Sequence, residues 1–379
     1  MTYDIPFNRA SVEGNELEYI RDAIANGHIS GNGPYTRRCE TLLERELSVK
    51  RALLTTSCTH ALEMSALLLE AGPGDEIVVP AFTFVSTVNA FVLRGARPSF
   101  VDIRPDTLNL DESRLEAAIG PSTKAIVAVH YAGVGSEMNA ILEIAGAHRI
   151  PVVEDNAHGL FGRYRGEYLG TAGSLAALSF HETKNFTCGE GGALLINDPR
   201  YVERAEILRE KGTNRSQFFR GEVDKYTWRD QGSSYVPADI LAAFLLAQLE
   251  RREQIQAKRR RVWEYYATHL RDWAEEHEIR LPIVPEHCQQ PYHMFYLILR
   301  SFEERQRLIR HLKERGILSV FHYLPLHLSE MGRRFGGKRG DLPVTEDVSQ
   351  RLLRLPFFND CKTSDQERVV AAIRELELD

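Results

Sequence analysis

Residues 174–192 read S-L-A-A-L-S-F-H-E-T-K-N-F-T-C-G-E-G-G, a strand of small apolar residues that runs into a polar loop with a glycine cluster. The only lysine of this stretch is Lys184. A lysine becomes a Schiff-base nucleophile when its neighbours desolvate it and lower the pKa of its amine, and a glycine-packed loop at a strand end can do so. Because most lysines are solvated surface groups, other parts of the sequence must decide between the two interpretations.

Short apolar runs alternate with helical spacing on both sides of this loop, which predicts an α/β domain with parallel strands. The predicted strands span 76–80, 125–130, 150–154, 176–180 and 192–196, and the predicted helices between them span 136–148 and 199–211. We therefore expect a large, mainly parallel sheet covered by helices, with its ligands at the carboxyl ends of the strands.

The flanking regions predict a helical start and a smaller C-terminal α+β domain. G-N-G-P at 31–34 separates two short helices within residues 10–50, and one long helix is predicted from Ala238 to about Glu276. Beyond it, strands are predicted at 292–299 and 318–323 and helices at 302–315, 345–354 and 363–377. The predicted domains are residues 1–255 and 256–379.

A second candidate site lies in V-V-E-D-N-A-H at 152–158, where an apolar strand ends in two carboxylates. Pyridoxal 5'-phosphate (PLP) requires a carboxylate against its ring nitrogen, because a protonated ring accepts electrons from a substrate carbanion. Asp155 is placed to supply that carboxylate. An aspartate that caps the next helix explains the same residue equally well.

A third candidate is T-T-S-C-T-H at 55–60, a hydroxyl-rich turn before an apolar helix. The backbone N–H groups and the dipole of such a helix bind anions, so Ser57, Cys58 and Thr59 are candidates to hold a phosphate. An ordinary helix N-cap predicts the same composition.

The order of the three features along the chain, phosphate turn, aspartate strand and lysine loop, resembles fold-type I PLP enzymes. Within that fold, the chain is similar to the DegT/StrS sugar aminotransferases along essentially its whole length. The motifs that carry this resemblance are P-A-F-T-F at 80–84, V-E-D-N-A-H at 153–158 and S-F-H-E-T-K-N at 179–185.

The resemblance implies a role for each matched residue. Lys184 would form the Schiff base with PLP and move the proton, and Asp155 would pair with the ring nitrogen. Phe84 would stack on the ring, His158 would approach its phenolic oxygen, and Ser179 would join the turn at 57–59 in holding the phosphate. Many relatives reach the phosphate of the other subunit with an asparagine in the loop before the long helix, where this chain has Ser234.

Longer runs bring the chain closest to the dTDP-4-amino-4,6-dideoxygalactose transaminase branch, namely R-E-K-G-T-N-R-S-Q-F-F-R-G at 209–221 and D-K-Y-T-W-R-D at 224–230. That likeness implies transfer of an amino group from L-glutamate to C4 of a dTDP-4-keto-6-deoxyhexose, with PLP passing through pyridoxamine phosphate, in a homodimer with shared sites. The galacto and gluco products both stay open. Candidate substrate contacts are Lys211, Asn214, Arg215 and Arg220 in and directly before the 212–234 loop, and His322, Tyr323 and His327 in the small domain.

Other interpretations are a 3-keto sugar aminotransferase, a sugar dehydratase of the same fold and a non-catalytic sugar-nucleotide scaffold. The dehydratase is disfavoured because the relatives that have that activity carry a histidine where this chain has Lys184. The Lys184–Asp155 pair argues against a scaffold. Thirteen histidines invite a metal site, but the chain has no H-E-x-x-H or paired ligand spacing, so we expect no metal.

Composition and charge restrict the binding partners and the cellular compartment that we expect for the protein. The 379 residues carry a net charge of −6 with both signs interspersed, which favours neither nucleic acid nor anionic membrane as a partner. No apolar run approaches the length of a membrane span. The five cysteines lack a C-x-x-C pair, and an odd number of cysteines favours a reducing compartment, so we expect a cytoplasmic protein.

Overall fold

A seven-stranded sheet organises the first two thirds of the chain in the computed structural model, which describes residues 3–377. The N-terminal half contains α1 (Glu16–Ala25), α2 (Pro34–Leu47), β1 (Arg51–Thr55), α3 (Cys58–Leu68), β2 (Glu76–Pro80), α4 (Val85–Val92), β3 (Arg97–Val101), α5 (Leu115–Ala118), β4 (Thr123–Val129), α6 (Met138–His148), β5 (Val152–Asp155), β6 (Arg163–Tyr164), β7 (Glu167–Tyr168), β8 (Leu175–Ser179) and β9 (Gly192–Ile196). The rest contains α7 (Val202–Arg209), α8 (Arg215–Phe219), α9 (Asp239–Glu250), α10 (Arg252–Glu276), β10 (Cys288–Gln289), β11 (Tyr296–Ile298), α11 (Phe302–Glu314), α12 (Glu330–Arg334), α13 (Pro343–Arg351), β12 (Leu352–Arg354) and α14 (Thr363–Arg374).

The strand order of the sheet is β1-β9-β8-β5-β4-β2-β3, and only β9 runs against the others. The register pairs Val129 with Asp155, and both Thr55 and Ser179 with Gly192. The carboxyl ends of β1, β4, β5 and β8 therefore meet at one edge of the sheet, as expected for a ligand site in an α/β fold.

Alternation along the strands supplies both faces of the sheet with core residues. In β9, Leu194 and Ile196 pack into the core beneath α3, α4 and α7, whereas Ala193 and Leu195 pack into the core beneath α2 and α9. Full burial of one such leucine or isoleucine side chain stabilises a fold by about 1.5–3 kcal/mol. The α/β class predicted from the apolar runs is confirmed, with a mixed, mainly parallel sheet between two helical layers.

A third large core lies in the C-terminal part of the chain, where α10, α11 and α14 pack together. The N-terminal Ile5 is fully buried in this core, and β10 pairs with β6 of the larger part. The N-terminal segment and strand β10 thus each contact the part of the structure to which most of their sequence neighbours do not belong. The predicted domain boundary at residue 255 stays a prediction.

Three predicted elements of the second half differ in the structure. The single long helix from Ala238 is two helices, α9 and α10, separated at Arg251, because α9 packs against α1 and α2 while α10 packs against α14. The predicted helix at 345–354 ends at Arg351, and its last three residues form β12, which pairs with β11. The predicted strand at 318–323 is reduced to one bridge, between Val320 and Arg354.

Two buried aspartates hold helix N-termini across long sequence separations. Asp239 accepts hydrogen bonds from the Tyr35 and Thr36 amides at the start of α2, at 3.2 and 2.8 Å. A Cβ atom on Gly33 would lie 2.3 Å from the Asp239 carboxylate, so the G-N-G-P turn requires glycine there. Asp102 holds the start of α13 in the same way, since it accepts from the Thr345 amide at 2.8 Å.

Within residues 3–377, no helix combines the length and the apolar character needed to cross a membrane.

Candidate active site

A cavity of about 740 Å³ opens at the carboxyl edge of the sheet, beneath the segment of the small domain that contains residues 320–323. The sequence-predicted residues that line it are Ser57, Cys58, Thr59, Phe84, Asp155, His158, Ser179, Lys184, His322 and Tyr323. These residues come from five separate segments of the chain, and the fold brings them to one place.

Asp155 is the last residue of β5 and is 6% exposed. Its carboxylate accepts a hydrogen bond from the Thr87 hydroxyl at 2.6 Å and another from the Ala157 amide at 3.2 Å. Burial raises the pKa of Asp155, and the Thr87 and Ala157 hydrogen bonds and the Lys184 charge oppose that rise. Asp155 therefore faces the cavity as a carboxyl group whose charge a nearby cation would stabilise.

The preceding residue, Glu154, has a different function, because adjacent strand residues point to opposite faces. Its carboxylate accepts hydrogen bonds from the amides of Gly170, Ala172 and Gly173 at 2.6–2.9 Å and pairs with His130 at 2.7 Å. Glu154 thus anchors the turn before β8, and only Asp155 of the two carboxylates is available to a ligand.

Lys184 lies in the loop between β8 and β9, with its side chain in the cavity. Burial lowers the pKa of its amine to about 8, and the Arg354 charge contributes to the lowering, whereas Cys58 and Asp155 oppose it. A substantial fraction of the amine is consequently neutral near pH 7–8, the form that attacks a carbonyl carbon. The solvated surface lysine considered at first is not what the fold produces.

The phosphate turn precedes α3, whose first residue is Cys58. The Ser57 hydroxyl accepts the His60 amide at 3.1 Å and so caps the helix, and the Thr59 hydroxyl donates to Ser86 at 2.8 Å. A Cβ atom on Gly192 would lie 2.4 Å from the Cys58 nitrogen, so glycine is needed for β9 to approach the helix start. The cap explanation and the anion site are compatible, because capping by Ser57 leaves the Cys58 and Thr59 amides for a ligand.

His158 and Tyr323 also line the cavity. The Tyr323 hydroxyl lies 3.4 Å from Nε2 of His158, and the buried Nδ1 of His158 has no hydrogen-bond partner among the described residues. Burial lowers the pKa of His158 well below its ordinary value, so the ring is neutral. An unpartnered donor in this position fits the phenolic oxygen of a bound PLP, and Phe84 at the same cavity supplies an aromatic face.

A family model for the DegT/DnrJ/EryC1/StrS aminotransferases matches residues 10–374. The chain belongs to this family. Similar solved structures include the aminotransferase TlmJ from Streptoalloteichus hindustanus, with 30% identity, 99% and 98% coverage of the two chains and a TM-score of 0.89. DesV of S. venezuelae is 30% identical over 100% of both chains with a TM-score of 0.89, and the PLP form of the putative sugar aminotransferase Spr1654 from Streptococcus pneumoniae is 26% identical over 99% and 100% with a TM-score of 0.90.

The membership confirms a PLP-dependent sugar aminotransferase with the fold of the fold-type I enzymes. No group of three or more histidine, cysteine, aspartate or glutamate side chains within residues 3–377 is arranged to hold a metal ion.

Several predicted contacts of the aminotransferase lie outside this cavity. Ser234 is exposed and forms a backbone bridge with Glu210, and the loop at 212–234 is partly helical because it contains α8. His327 is buried, and its ring pairs with Glu346 at 3.1 Å, away from the cavity lining. His327 therefore lies outside this chain's cavity, and its role as a substrate contact stays a prediction.

The four polar residues of the loop also lie outside this chain's cavity. Arg220 pairs with Glu206 at 2.8 Å and with Glu222 at 2.6 Å, and Asn214 is buried where it accepts the Thr227 amide at 2.9 Å. The Arg215 guanidinium lies over the Phe219 ring at 5.0 Å, and Lys211 adopts a left-handed backbone with a φ of 64°. In one chain, these residues stabilise the loop and do not reach the Lys184 site.

Sequence reasoning missed four residues that shape the site. Thr87 holds Asp155, and His293 stacks on His158 with ring centroids 4.2 Å apart. Phe7 lines the cavity from the N-terminal segment, and Arg354 lines it from β12. Only tertiary structure brings these residues together, although Arg354, which interrupts the leucines of R-L-L-R-L-P at 351–356, was a signal that could have been noticed.

Proposed function

We propose that this aminotransferase moves an amino group from L-glutamate to C4 of a dTDP-4-keto-6-deoxyhexose. The products would be 2-oxoglutarate and a dTDP-4-amino-4,6-dideoxyhexose. The observation that carries the proposal is the pair formed by Lys184, whose buried amine has a pKa of about 8, and Asp155 in one cavity. The long sequence runs at 209–221 and 224–230 support the choice of sugar.

PLP, when bound, supplies an electron sink and carries the amino group between the two substrates. Asp155 would hold the proton on the ring nitrogen, with Thr87 and the Ala157 amide fixing its carboxylate. Lys184 would take a proton from the α carbon of glutamate and later deliver one to C4 of the sugar. A pKa near 8 suits both steps, because each protonation state is populated near neutral pH.

The remaining cofactor contacts follow from the positions of the side chains. The Cys58 and Thr59 amides at the start of α3, with the hydroxyls of Ser57, Thr59 and Ser179, would hold the phosphate. Phe84 would cover one face of the ring. Nδ1 of His158 would donate to the phenolic oxygen, which would give that buried nitrogen its missing partner.

The substrates would enter between these residues and the small domain. His322 and Tyr323 line the cavity, and the Tyr131 hydroxyl bonds to Nδ1 of His322 at 2.7 Å, which leaves Nε2 of His322 to face a ligand. Burial lowers the pKa of His322 well below its ordinary value, so we propose that it contacts the sugar or glutamate as a neutral donor.

A homodimer is the assembly that we propose. Trp228 is 80% exposed and Phe219 is 64% exposed in the single chain, and both lie in the 212–234 segment. Large exposed aromatic side chains are typical of surfaces that bind another protein. A second copy that covers this segment would bring Ser234, Lys211 and Arg215 toward its partner's site. We further propose a cytoplasmic enzyme, because all five cysteines are free thiols.

Absorption spectra of the purified protein test the proposal. PLP should give a visible band that L-glutamate removes and dTDP-4-keto-6-deoxyglucose restores, and Lys184→Ala should abolish this cycle. Lys338→Ala, a change of an exposed lysine, is the matched control and should behave as wild type.

Three outcomes separate the alternatives. Product NMR with the new amine on C4 would support the proposal and would assign the epimer, whereas restoration of the band by a dTDP-3-keto-6-deoxyhexose and not by the 4-keto sugar would transfer the assignment to the 3-keto sugars. If wild type binds PLP and reacts with glutamate but not with the keto sugar, the proposed acceptor is wrong.

A further inference from the structure

His293 contacts both the loop that carries Lys184 and the ring of His158. Its Nδ1 atom lies 2.8 Å from Oδ1 of Asn185, the residue that follows Lys184. Its ring stacks on His158 with centroids 4.2 Å apart and ring planes inclined by 17°. The residue is buried and lines the cavity. One side chain therefore connects the two groups that the proposed function assigns to the aldehyde and to the phenolic oxygen of PLP.

The hydrogen bonds of Asn185 fix where the proton of His293 lies. The Asn185 amide nitrogen donates to the Pro291 carbonyl at 2.6 Å, so the amide oxygen is the atom that faces His293. An amide oxygen can only accept, and Nδ1 of His293 therefore carries the proton. Burial lowers the pKa of His293 well below its ordinary value, as it does for His158, so two neutral rings stack without charge repulsion.

The backbone that carries His293 is held on its other side by the buried Arg259 of α10. The Arg259 guanidinium donates to the Tyr292 and His293 carbonyls at 2.9 and 2.6 Å. Tyr292 adopts a left-handed backbone with a φ of 55°, which is uncommon for a residue other than glycine and persists where the surrounding contacts impose it. The orientation of His293 is thus fixed by contacts on both sides and at a cost in backbone strain, as is typical of functional sites.

The two groups that His293 connects would act on neighbouring atoms of PLP. The aldehyde that reacts with Lys184 and the phenolic oxygen that His158 would approach are attached to adjacent carbons of the cofactor ring. A hydrogen bond weakens steeply when its angle departs from linearity, so the bond from His158 depends on where its ring lies relative to the lysine. His293 links that ring to Asn185 and thereby to the loop of Lys184.

We propose that His293 is a positioning residue that fixes the ring of His158 relative to Lys184, so that the two groups reach adjacent atoms of the cofactor together. His293 acts through His158 and does not itself bind the phenolic oxygen. The inference rests on the contact between His158 and PLP in the proposed function, and it adds the residue that sets the geometry of that contact.

A pH titration of the visible absorption band of the PLP-loaded enzyme tests the inference. A donor to the phenolic oxygen lowers the proton affinity of the neighbouring nitrogen that joins Lys184 to the cofactor, so a weaker donor moves the pH midpoint of the band upward. His293→Phe keeps a ring over His158 but loses the bond to Asn185, and His293→Asn keeps a donor for Asn185 but loses the ring. We expect both to raise the midpoint by about 0.4–1 pH unit and the dissociation constant for PLP about 2- to 10-fold, the effect of one neutral hydrogen bond.

His269→Gln is the matched control. His269 also stacks on a neighbouring ring, that of Tyr265, with centroids 4.0 Å apart and planes inclined by 18°, but it lies exposed on α10. Its midpoint and its affinity for PLP should equal those of wild type. Urea unfolding of each variant separates positioning from stability. If both His293 variants unfold more easily but keep the wild-type midpoint, His293 only packs the protein and the inference is wrong.

His158→Phe separates a failure of the inference from a failure of the proposed cofactor contact. This change should raise the midpoint at least as far as the His293 changes do, and adding His293→Phe to it should cause no further shift, because His293 acts through His158. A further shift in the double variant would overturn the inference alone. A wild-type midpoint in His158→Phe would show that His158 does not bind the phenolic oxygen, which overturns that part of the proposed function and the inference with it.

Discussion

Replacing Thr87 with valine removes the hydroxyl that donates to Asp155 at 2.6 Å while nearly preserving the size of the side chain. Only the Ala157 amide, at 3.2 Å, then remains as a local donor to this buried carboxylate. A hydrogen bond to a charged group contributes about 1.5–3 kcal/mol, so we expect Thr87→Val to weaken PLP binding by about 10- to 150-fold. Absorption titration of the apoenzyme with PLP measures this change.

The pH dependence of the same titration tests the reason for the loss. Burial raises the pKa of Asp155 and the Thr87 hydrogen bond opposes that rise, so the variant carboxyl should have a higher pKa than the wild-type carboxyl. Because the ionised form holds the protonated ring nitrogen, PLP affinity is lost as pH falls through this pKa. The acid limb of the affinity profile should therefore move to higher pH in Thr87→Val.

Thr83→Val is the matched control for this experiment. The Thr83 hydroxyl bonds to the Thr87 hydroxyl at 2.8 Å and not to Asp155, so its removal should weaken PLP binding by less than about tenfold, the effect of one neutral hydrogen bond. Equal affinities and identical acid limbs in wild type and Thr87→Val would refute the reasoning, since Asp155 would then not act as the anion beside the ring.

Three further predictions concern the amine and the two helix starts. The rate at which apoenzyme captures PLP should rise with pH and level off above about 8, because only neutral Lys184 attacks the aldehyde; a continued rise toward 10.5, the ordinary lysine pKa, would contradict the burial effect. Gly33→Ala places a Cβ 2.3 Å from the Asp239 carboxylate and should lower the free energy of unfolding by about 1–3 kcal/mol in a urea titration, whereas Gly120→Ala, with open space around it, should change it by less than about 0.5 kcal/mol. Asp102→Ala removes the cap of α13 and should cost about 0.5–2 kcal/mol in the same assay, and an unchanged midpoint would show that the cap adds no stability.

Local pattern was sufficient for the elements that lie within one layer of the fold. The runs at 76–80 and 192–196 match β2 and β9 residue for residue, because strands that are buried on both faces consist of consecutive apolar residues. Helical spacing could not reveal the break at Arg251, since both helices that it joins have good helical sequences. That break depends on which core each helix packs against.

The residues of the candidate site also fall into two groups, those that a local sequence pattern predicts and those that only the tertiary structure reveals. The sequence order of turn, aspartate and lysine was informative because each of these groups follows or precedes a regular element. Choosing Asp155 over Glu154 required the direction of each side chain on β5, and finding Arg354 required the pairing of β12 with β11 and with Val320. A contact between residues that are far apart in sequence leaves no local pattern to read.

The electrostatics of the cavity explain why its two principal groups need a ligand. Burial alone favours neutral Lys184 and protonated Asp155, and their mutual attraction only partly restores the charges. A cofactor with a positive ring nitrogen would give Asp155 a counter-ion, and its aldehyde would react with the neutral amine of Lys184. Burial shifts each group toward its uncharged state, and cofactor binding would use that state at the lysine and reverse it at the aspartate.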